Sequence, residues 1–262
     1  MRMKTLSLAC AALVALGSSH ARAASCAARS GPQVAALVEL YTSEGCDSCP
    51  PADRWLSSLA AQGFGPERVV PIALHVDYWD YIGWKDPYGK RQFSGRQKKM
   101  AALARSALVY TPQVLLQGRD FRGWGGPSFQ EAVARINARP AKVNIDLELS
   151  SVTGTALSVR ARVQAPAGPL PGEPGLFLAA YENRLFSAVT AGENRGRTLE
   201  HDYVVLQWEG PFPLEGRRGV ELRRDLRLLP GAVSRNSGIA AFVQDGRDGE
   251  VLQALMLPAC PG

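Results

Sequence analysis

A strand that runs straight into a helix carrying two thiols is the feature that most restricts this chain. The apolar run Val34 to Tyr41 leads to Cys46-Asp47-Ser48-Cys49-Pro50-Pro51, after which Ala52 to Leu59 takes helical spacing. Unpaired N–H groups and the positive dipole end of a helix favour a thiolate there. Two cysteines three apart can also close a small disulfide ring. Zinc sites use the same spacing, but no second cysteine pair follows, which disfavours a four-cysteine zinc site.

The N-terminus reads as a targeting segment. Arg2 and Lys4 give a positive start, Leu6 to Leu16 is apolar but too short to span a bilayer, and Ala21-Arg22-Ala23 has the small-x-small form of a cleavage site. Residues 1–23 are therefore expected to be a signal peptide cleaved after Ala23, with the mature chain periplasmic or secreted by a bacterium. The competing reading, a lipoprotein acylated on Cys10, fits less well because Ser7 stands where leucine is usual. No other segment is apolar for long enough to form a membrane helix, so no membrane span is expected. Removing Arg2, Lys4 and Arg22 lowers the net charge from +6 to +3, which does not argue for nucleic acid.

An exported chain can keep disulfides. Cys26, Cys46, Cys49 and Cys260 remain after cleavage, an even number that permits two bridges. Cys26 and Cys260 belong to no motif and are read as a structural staple between the termini. Chain entropy gives so long a loop on the order of 5 kcal/mol as an upper figure. The alternative is two free or intermolecular thiols.

The first half alternates strands with helical patterns: strand 34–42, helix 50–62, strand 69–77, a helical stretch within 92–107, strands 113–117 and 120–124, and helix 128–138. This is β-α-β-α-β-β-α, an α/β unit with a mixed sheet. Proline at Arg139-Pro140 halts the last helix and marks a boundary. The expected organisation is a 24–140 domain with a helical insertion at about 86–108, then a 141–262 domain. In the second half apolar residues alternate at Val143, Ile145, Leu147 and Leu149 and again over 156–163. Further apolar runs fall at 176–181, 202–208, 220–228, 238–244 and 251–257. About seven short strands without helix suggest an all-β antiparallel sandwich.

Taken with Thr111-Pro112, which precedes the strand Gln113 to Gln117, the dithiol resembles the thioredoxin superfamily over roughly Val34 to Arg139. The blocks VELYTSEGCDSCPPAD, HVDYWDYIGWKDP and YTPQV look closer still to a secreted bacterial subgroup of unknown function. The resemblance implies a thioredoxin-like fold, a cis-proline loop at Thr111-Pro112 that holds substrate backbone, and no cofactor beyond the redox-active disulfide. It implies that Cys46 is the exposed attacking thiol and Cys49 the resolving one. Thioredoxins keep a buried carboxylate six residues before the first cysteine. Here that place is Leu40, and Glu39 points to the other face of the strand. Glu44 or Asp77 is the expected substitute as proton relay. Asp47 beside Cys46 is expected to raise its pKa and make the disulfide more reducing than that of a strong oxidase.

Tyr78, Trp79, Tyr81, Trp84 and Tyr88 follow a strand end and form either a peptide-docking face or a plug for the insertion. The bases Lys85, Lys90, Arg91, Arg96, Lys98, Lys99 and Arg105 are read as a solvated helix face rather than a cap over the dithiol. His201 is read as a surface residue, and Gly192 to His201 as a polar turn without a role. The leading function is an exported thiol–disulfide oxidoreductase acting on protein thiols, with an unidentified redox partner. One alternative is a copper- or zinc-handling protein that uses Cys46, Cys49 and His75. Another is a non-catalytic binding module with a static bridge.

Overall fold

The apolar run before the cysteines becomes an inner strand with both faces covered. After β1 (Ser25–Arg29), β2 (Ala36–Thr42) is buried along its whole length, followed by α1 (Pro50–Ser58) and β3 (Val69–His75). Then come α2 (Arg91–Leu103), β4 (Gln113–Leu116), β5 (Arg119–Asp120) and α3 (Pro127–Asn137). Leu37 and Tyr41 pack with Phe93 and Met100 of α2. On the other face Ala36, Val38 and Leu40 pack with Leu56 of α1 and with Phe129 and Val133 of α3. Period-two alternation thus sorts one strand between helices on opposite faces. Each fully buried leucine contributes roughly 1.5–3 kcal/mol.

The computed structural model describes residues 25–153 and 156–260, and the signal peptide expected at 1–23 lies outside them. The result is a mixed α/β structure, mostly sheet with few helices. The second half adds β6 (Asn144–Thr153), β7 (Ala156–Gln164), β8 (Pro174–Glu182), β9 (Leu185–Ala188), β10 (Thr198–His201), β11 (Val204–Pro213), β12 (Gly219–Arg227), β13 (Ser237–Asp245) and β14 (Val251–Pro258). No helix among the described residues is long and apolar enough to cross a membrane.

One expectation needs correction here: the second half is not a self-contained sandwich. Four of its strands extend the first half's sheet into one of eight strands, in the order β14-β13-β8-β11-β3-β2-β4-β5. The junction is a short parallel pairing, Val204 opposite Ala73, with Ala73 N–H donating to Tyr203 O at 2.8 Å. The other sheet, β1-β6-β7-β12, covers one face of that extension, where Leu147, Leu149, Val159 and Ala161 meet Leu178, Ala180, Ile239 and Ala241. The opposite face of β8 and β13 presents Phe177, Ala179 and Phe242 to the α2 side, with Phe93 and Met100. β8 and β13 are therefore buried almost end to end, whereas β7 alternates. The expected strand 120–124 is only Arg119–Asp120, and the one expected to reach residue 77 ends at His75.

Cys26 and Cys260 are bridged, with Cα atoms 5.5 Å apart across 234 residues of sequence. β9 and β10 form a separate two-stranded ribbon near α1, joined by the segment 189–197.

Candidate functional site

β2 ends at Thr42, and a tight turn delivers the dithiol: Cys46 N–H donates to Ser43 O at 3.2 Å and Cys49 N–H to Cys46 O at 3.3 Å. Cys46 and Cys49 are bridged, with Cα atoms 5.5 Å apart. Cys49 is the N-cap residue of α1, and Pro50 and Pro51 fill its first positions. Those prolines have no N–H, and the N–H groups of Ala52 and Asp53 both donate to Cys49 O. The helix end therefore offers little to a Cys46 thiolate. Ser48 Oγ lies 3.3 Å from Cys46 Sγ and is the donor while the sulfurs are bridged.

The expected exposure of Cys46 is corrected: it is 1% exposed and Cys49 is 0% exposed. The 189–197 segment, part of the polar stretch to which sequence reasoning attached no role, lies against this turn. Asn194, fully buried, donates through Nδ2 to Glu44 O at 2.8 Å and to Cys46 O at 2.9 Å. Arg197 Nη1 donates to Asn194 Oδ1 at 2.9 Å, and Glu193 Oε2 accepts the N–H of exposed Asp47 at 3.1 Å. Gly192 and Gly196 bracket this strap at φ of +74° and +81°, the left-handed region glycine enters freely. A Cβ on Gly192 would meet Ile82 at 3.0 Å and Trp84 at 3.3 Å.

Beneath the strap lies a buried acid–base cluster. His201, expected at the surface, is buried, and its Nε2 sits 3.1 Å from Glu44 Oε1. Trp84 Nε1 donates to Glu44 Oε2 at 2.8 Å. His75 Nδ1 is 2.7 Å from Asp86 Oδ2, which also accepts Glu44 N–H at 2.8 Å. Asp53, one turn beyond Cys49 on the same helix face, accepts from Thr42 Oγ1 at 3.2 Å and lies 4.0 Å from His201 Nδ1. The two imidazoles meet edge to face, centroids 4.9 Å apart, and among the described residues His75 Nε2 and His201 Nδ1 have no hydrogen-bond partner.

Charge and burial compete at each of these groups. Burial disfavours imidazolium at His75, but the attraction and hydrogen bond of Asp86, with Asp53 and Glu44 behind, lift its pKa above the ordinary value. Burial works against ionised Asp86 too, yet His75 and the N–H groups of Glu44 and Tyr88 hold its carboxyl low. Asp53 is pushed up, chiefly by burial and partly offset by His201, His75 and Thr42.

Of the two expected relay carboxylates, Glu44 is in this cluster, while Asp77 is bound by Ser94 Oγ at the start of α2. Sequence reasoning missed Asp53, Asp86 and Asn194. Thr111-Pro112 is a cis peptide bond. Tyr41 pairs with Gln113, so Pro112 sits at the same sheet end as the turn to Cys46. Trp79 links the two: its Nε1 donates to Thr111 Oγ1 at 2.7 Å, and its Cβ lies 3.0 Å from where a Gly45 Cβ would be. Tyr78 OH donates to Gln97 Oε1 at 3.2 Å, and Tyr78, Trp79 and Trp84 are all half-buried, so these aromatics mostly plug. Tyr81, 81% exposed and stacked parallel to Trp79, is the one that faces outward.

Two bases of the insertion depart from the solvated-face expectation. Arg96 is nearly buried, paired with Glu39 at 2.6 Å, and Lys90 Nζ donates to Leu206 O. The metal-ligand set is not assembled, since the two sulfurs are bonded to each other and His75 Nδ1 to Asp86. Among the described residues no group of three or more His, Cys, Asp or Glu could hold an ion.

Residues 37–244 match the family described as protein of unknown function (DUF1223), and the chain belongs to that family. No curated protein matches it. Among solved structures it is similar to protein AGR_C_4864 from Agrobacterium tumefaciens, at 22% identity and a TM-score of 0.61, covering 89% of this chain and 98% of that one. It is also similar to HBP35 of Porphyromonas gingivalis, at 14% identity and a TM-score of 0.65, covering 88% and 76%. At these identities the likeness is one of fold.

Proposed function

We propose that this chain is an exported thiol–disulfide oxidoreductase working through Cys46 and Cys49. The order β2-α1-β3-α2-β4-β5-α3 supports a thioredoxin-like unit whose sheet is lengthened by the second half. The observation that carries the reading is the bridge at the start of α1 with Asp53 one turn behind Cys49, a carboxylate that burial keeps prone to hold a proton. Buried acids with a perturbed pKa concentrate at functional sites.

In the oxidised protein a substrate thiolate attacks Cys46 Sγ. The Cys46–Cys49 bond breaks, Cys49 leaves as thiolate, and Asp53 is placed to exchange a proton with it. A second substrate thiolate then attacks the mixed disulfide, forming the substrate disulfide and releasing Cys46 as thiolate. Two electrons pass to the protein, and the same steps run backwards reduce a substrate disulfide. The strap at 189–197 has to swing aside first. A protein substrate held by Thr111-Pro112, and a second redox protein that resets the dithiol, complete the reading. The disulfide is the only redox group it requires.

Burial of both sulfurs favours a second reading, a static bridge in a binding module. The reduction potential separates the two, because structural bridges lie below about −300 mV. Trapping tests the first directly. Cys49→Ala should accumulate a mixed disulfide through Cys46, and Cys46→Ser should not. No adduct with either variant, together with a potential in the structural range, overturns the oxidoreductase reading.

A further inference from the structure

A cleft of about 620 Å³ opens between α2 and the strands β8, β11 and β13, and it shares no lining residue with the dithiol or the buried cluster. Its size falls inside the roughly 300–1,000 Å³ of small-molecule sites. Phe177 and Trp208 line it, their rings 5.5 Å apart and tilted by 48°. Pro174, Pro211 and Pro213 add apolar lining without N–H groups. Arg96 lies 4.6 Å over Trp208 and is held from behind by both oxygens of Glu39 and by Gln244. That aromatic lining is preorganised.

The charges around the cleft point to an anion. Arg96 is spent on its neighbours: its guanidinium donates to Glu39 and Gln244, with Tyr41 beside it. Lys99 and Arg217 also line the cleft, and among the described residues neither has a carboxylate within 4.0 Å. Glu173 and Asp245 line it too: Asp245 accepts the N–H groups of Glu173 and Arg247, and Glu173 faces Arg247 at 3.9 Å. Outside the Arg96–Glu39 pair, Lys99, Arg217 and the neighbouring Arg247 face Glu173 and Asp245, which leaves one net positive charge beside an apolar wall.

Gly95 borders the same open space. It sits inside α2, where glycine costs about 1 kcal/mol relative to alanine, and a Cβ there would meet nothing within 4 Å.

We propose that this cleft binds a small aromatic carboxylate. The flat ring lies against Trp208 and Phe177, and the carboxylate takes charge-assisted hydrogen bonds from Arg217 and Lys99. The site is independent of the dithiol reading.

The test titrates the oxidised full chain with 2-naphthoate and with the neutral 2-naphthalenemethanol, followed by calorimetry and tryptophan fluorescence. Naphthoate is expected to bind about tenfold more tightly than the alcohol. The Lys99→Gln/Arg217→Gln double variant should lose that preference while still binding the alcohol. Gly95→Leu should abolish binding of both, with its thermal midpoint showing that it folds. Three results overturn the proposal: no saturable naphthoate binding up to about 1 mM, equal affinity for the two compounds, or binding that survives Gly95→Leu. A self-association that naphthoate fails to disrupt and Gly95→Leu abolishes also overturns it, since the occupant is then a second copy of the chain.

Discussion

His201, from the second half of the chain, holds its Nε2 3.1 Å from Oε1 of Glu44, a residue only two positions before the first cysteine. Glu44 is fully buried, so its carboxylate depends on His201 and Trp84 for hydrogen bonds. His201→Ala should therefore cost about 2–3 kcal/mol by stranding that oxygen. Urea unfolding at neutral pH reads this. His201→Gln, which keeps a donor, should recover more than half of the loss.

The Asp86–His75 pair carries a pH signature. Asp86 sits below its ordinary value of 3.8, so its stabilisation is present above that pH and is lost as pH falls through the lower folded pKa. His75 sits above 6.5, so its contribution is full below that pH and is lost as pH rises through the higher folded pKa. Asp86→Asn should lose about 3 kcal/mol. Stability curves against pH should show the deficit widest between about pH 4 and 6.5 and narrowing on both sides.

Asp53 has the opposite sign. Burial raises its pKa, so the fold is progressively penalised as pH climbs through that value. Asp53→Asn should leave the protein at least as stable at pH 8 while slowing thiol–disulfide exchange by roughly a hundredfold. Stopped-flow oxidation of a dithiol peptide, run beside thermal unfolding, checks both halves. A variant that unfolds early and exchanges at the original rate would show Asp53 to be structural only.

Asn194→Ala removes two hydrogen bonds that clamp the strap over the dithiol. At about 1 kcal/mol each, the open population rises about 30-fold. Reduction of the Cys46–Cys49 bridge by dithiothreitol should quicken by that order, and Cys26–Cys260 should be unaffected.

Glu39→Gln should destabilise by about 3–5 kcal/mol, because it leaves Arg96 charged and buried among Phe177, Trp208 and Phe242. Paired replacement of Glu39 and Arg96 by Leu and Met should cost much less, which a thermal-melt double-mutant cycle measures.

Much of the fold is legible as period and punctuation. Pro50 and Pro51 mark the start of α1, and the second-half strands fall close to the alternating runs at 143–149, 156–163 and 220–228. The lengthened sheet was less visible, yet a signal existed. Leu176 to Tyr181 is a continuous apolar run rather than an alternating one, as in a strand covered on both faces. At the site, the dithiol and the cis Thr111-Pro112 loop follow from local motif. His201 does not, because its hydrogen-bond partner Glu44 lies 157 residues away in sequence. Even so, Leu199 and His201 share the buried face of β10, a period-two hint that a histidine easily hides. Asn194 had no local signature, since its partners are backbone carbonyls.

The single parallel contact between Val204 and Ala73 sets an order of assembly. A chain emerging from its N-terminus makes the two thiols early, but β3 lacks its second neighbour until β11 has been synthesised. The strap and His201 arrive just before that strand. Pairings so distant in sequence form late. Newly made molecules should therefore pass through a stage in which the cysteines are accessible and the acids beneath them are still hydrated, a stage that pulse alkylation during refolding would detect. Any oxidant or partner that sets the initial redox state of the dithiol has its easiest access during this maturation interval, before the last third of the chain closes over it.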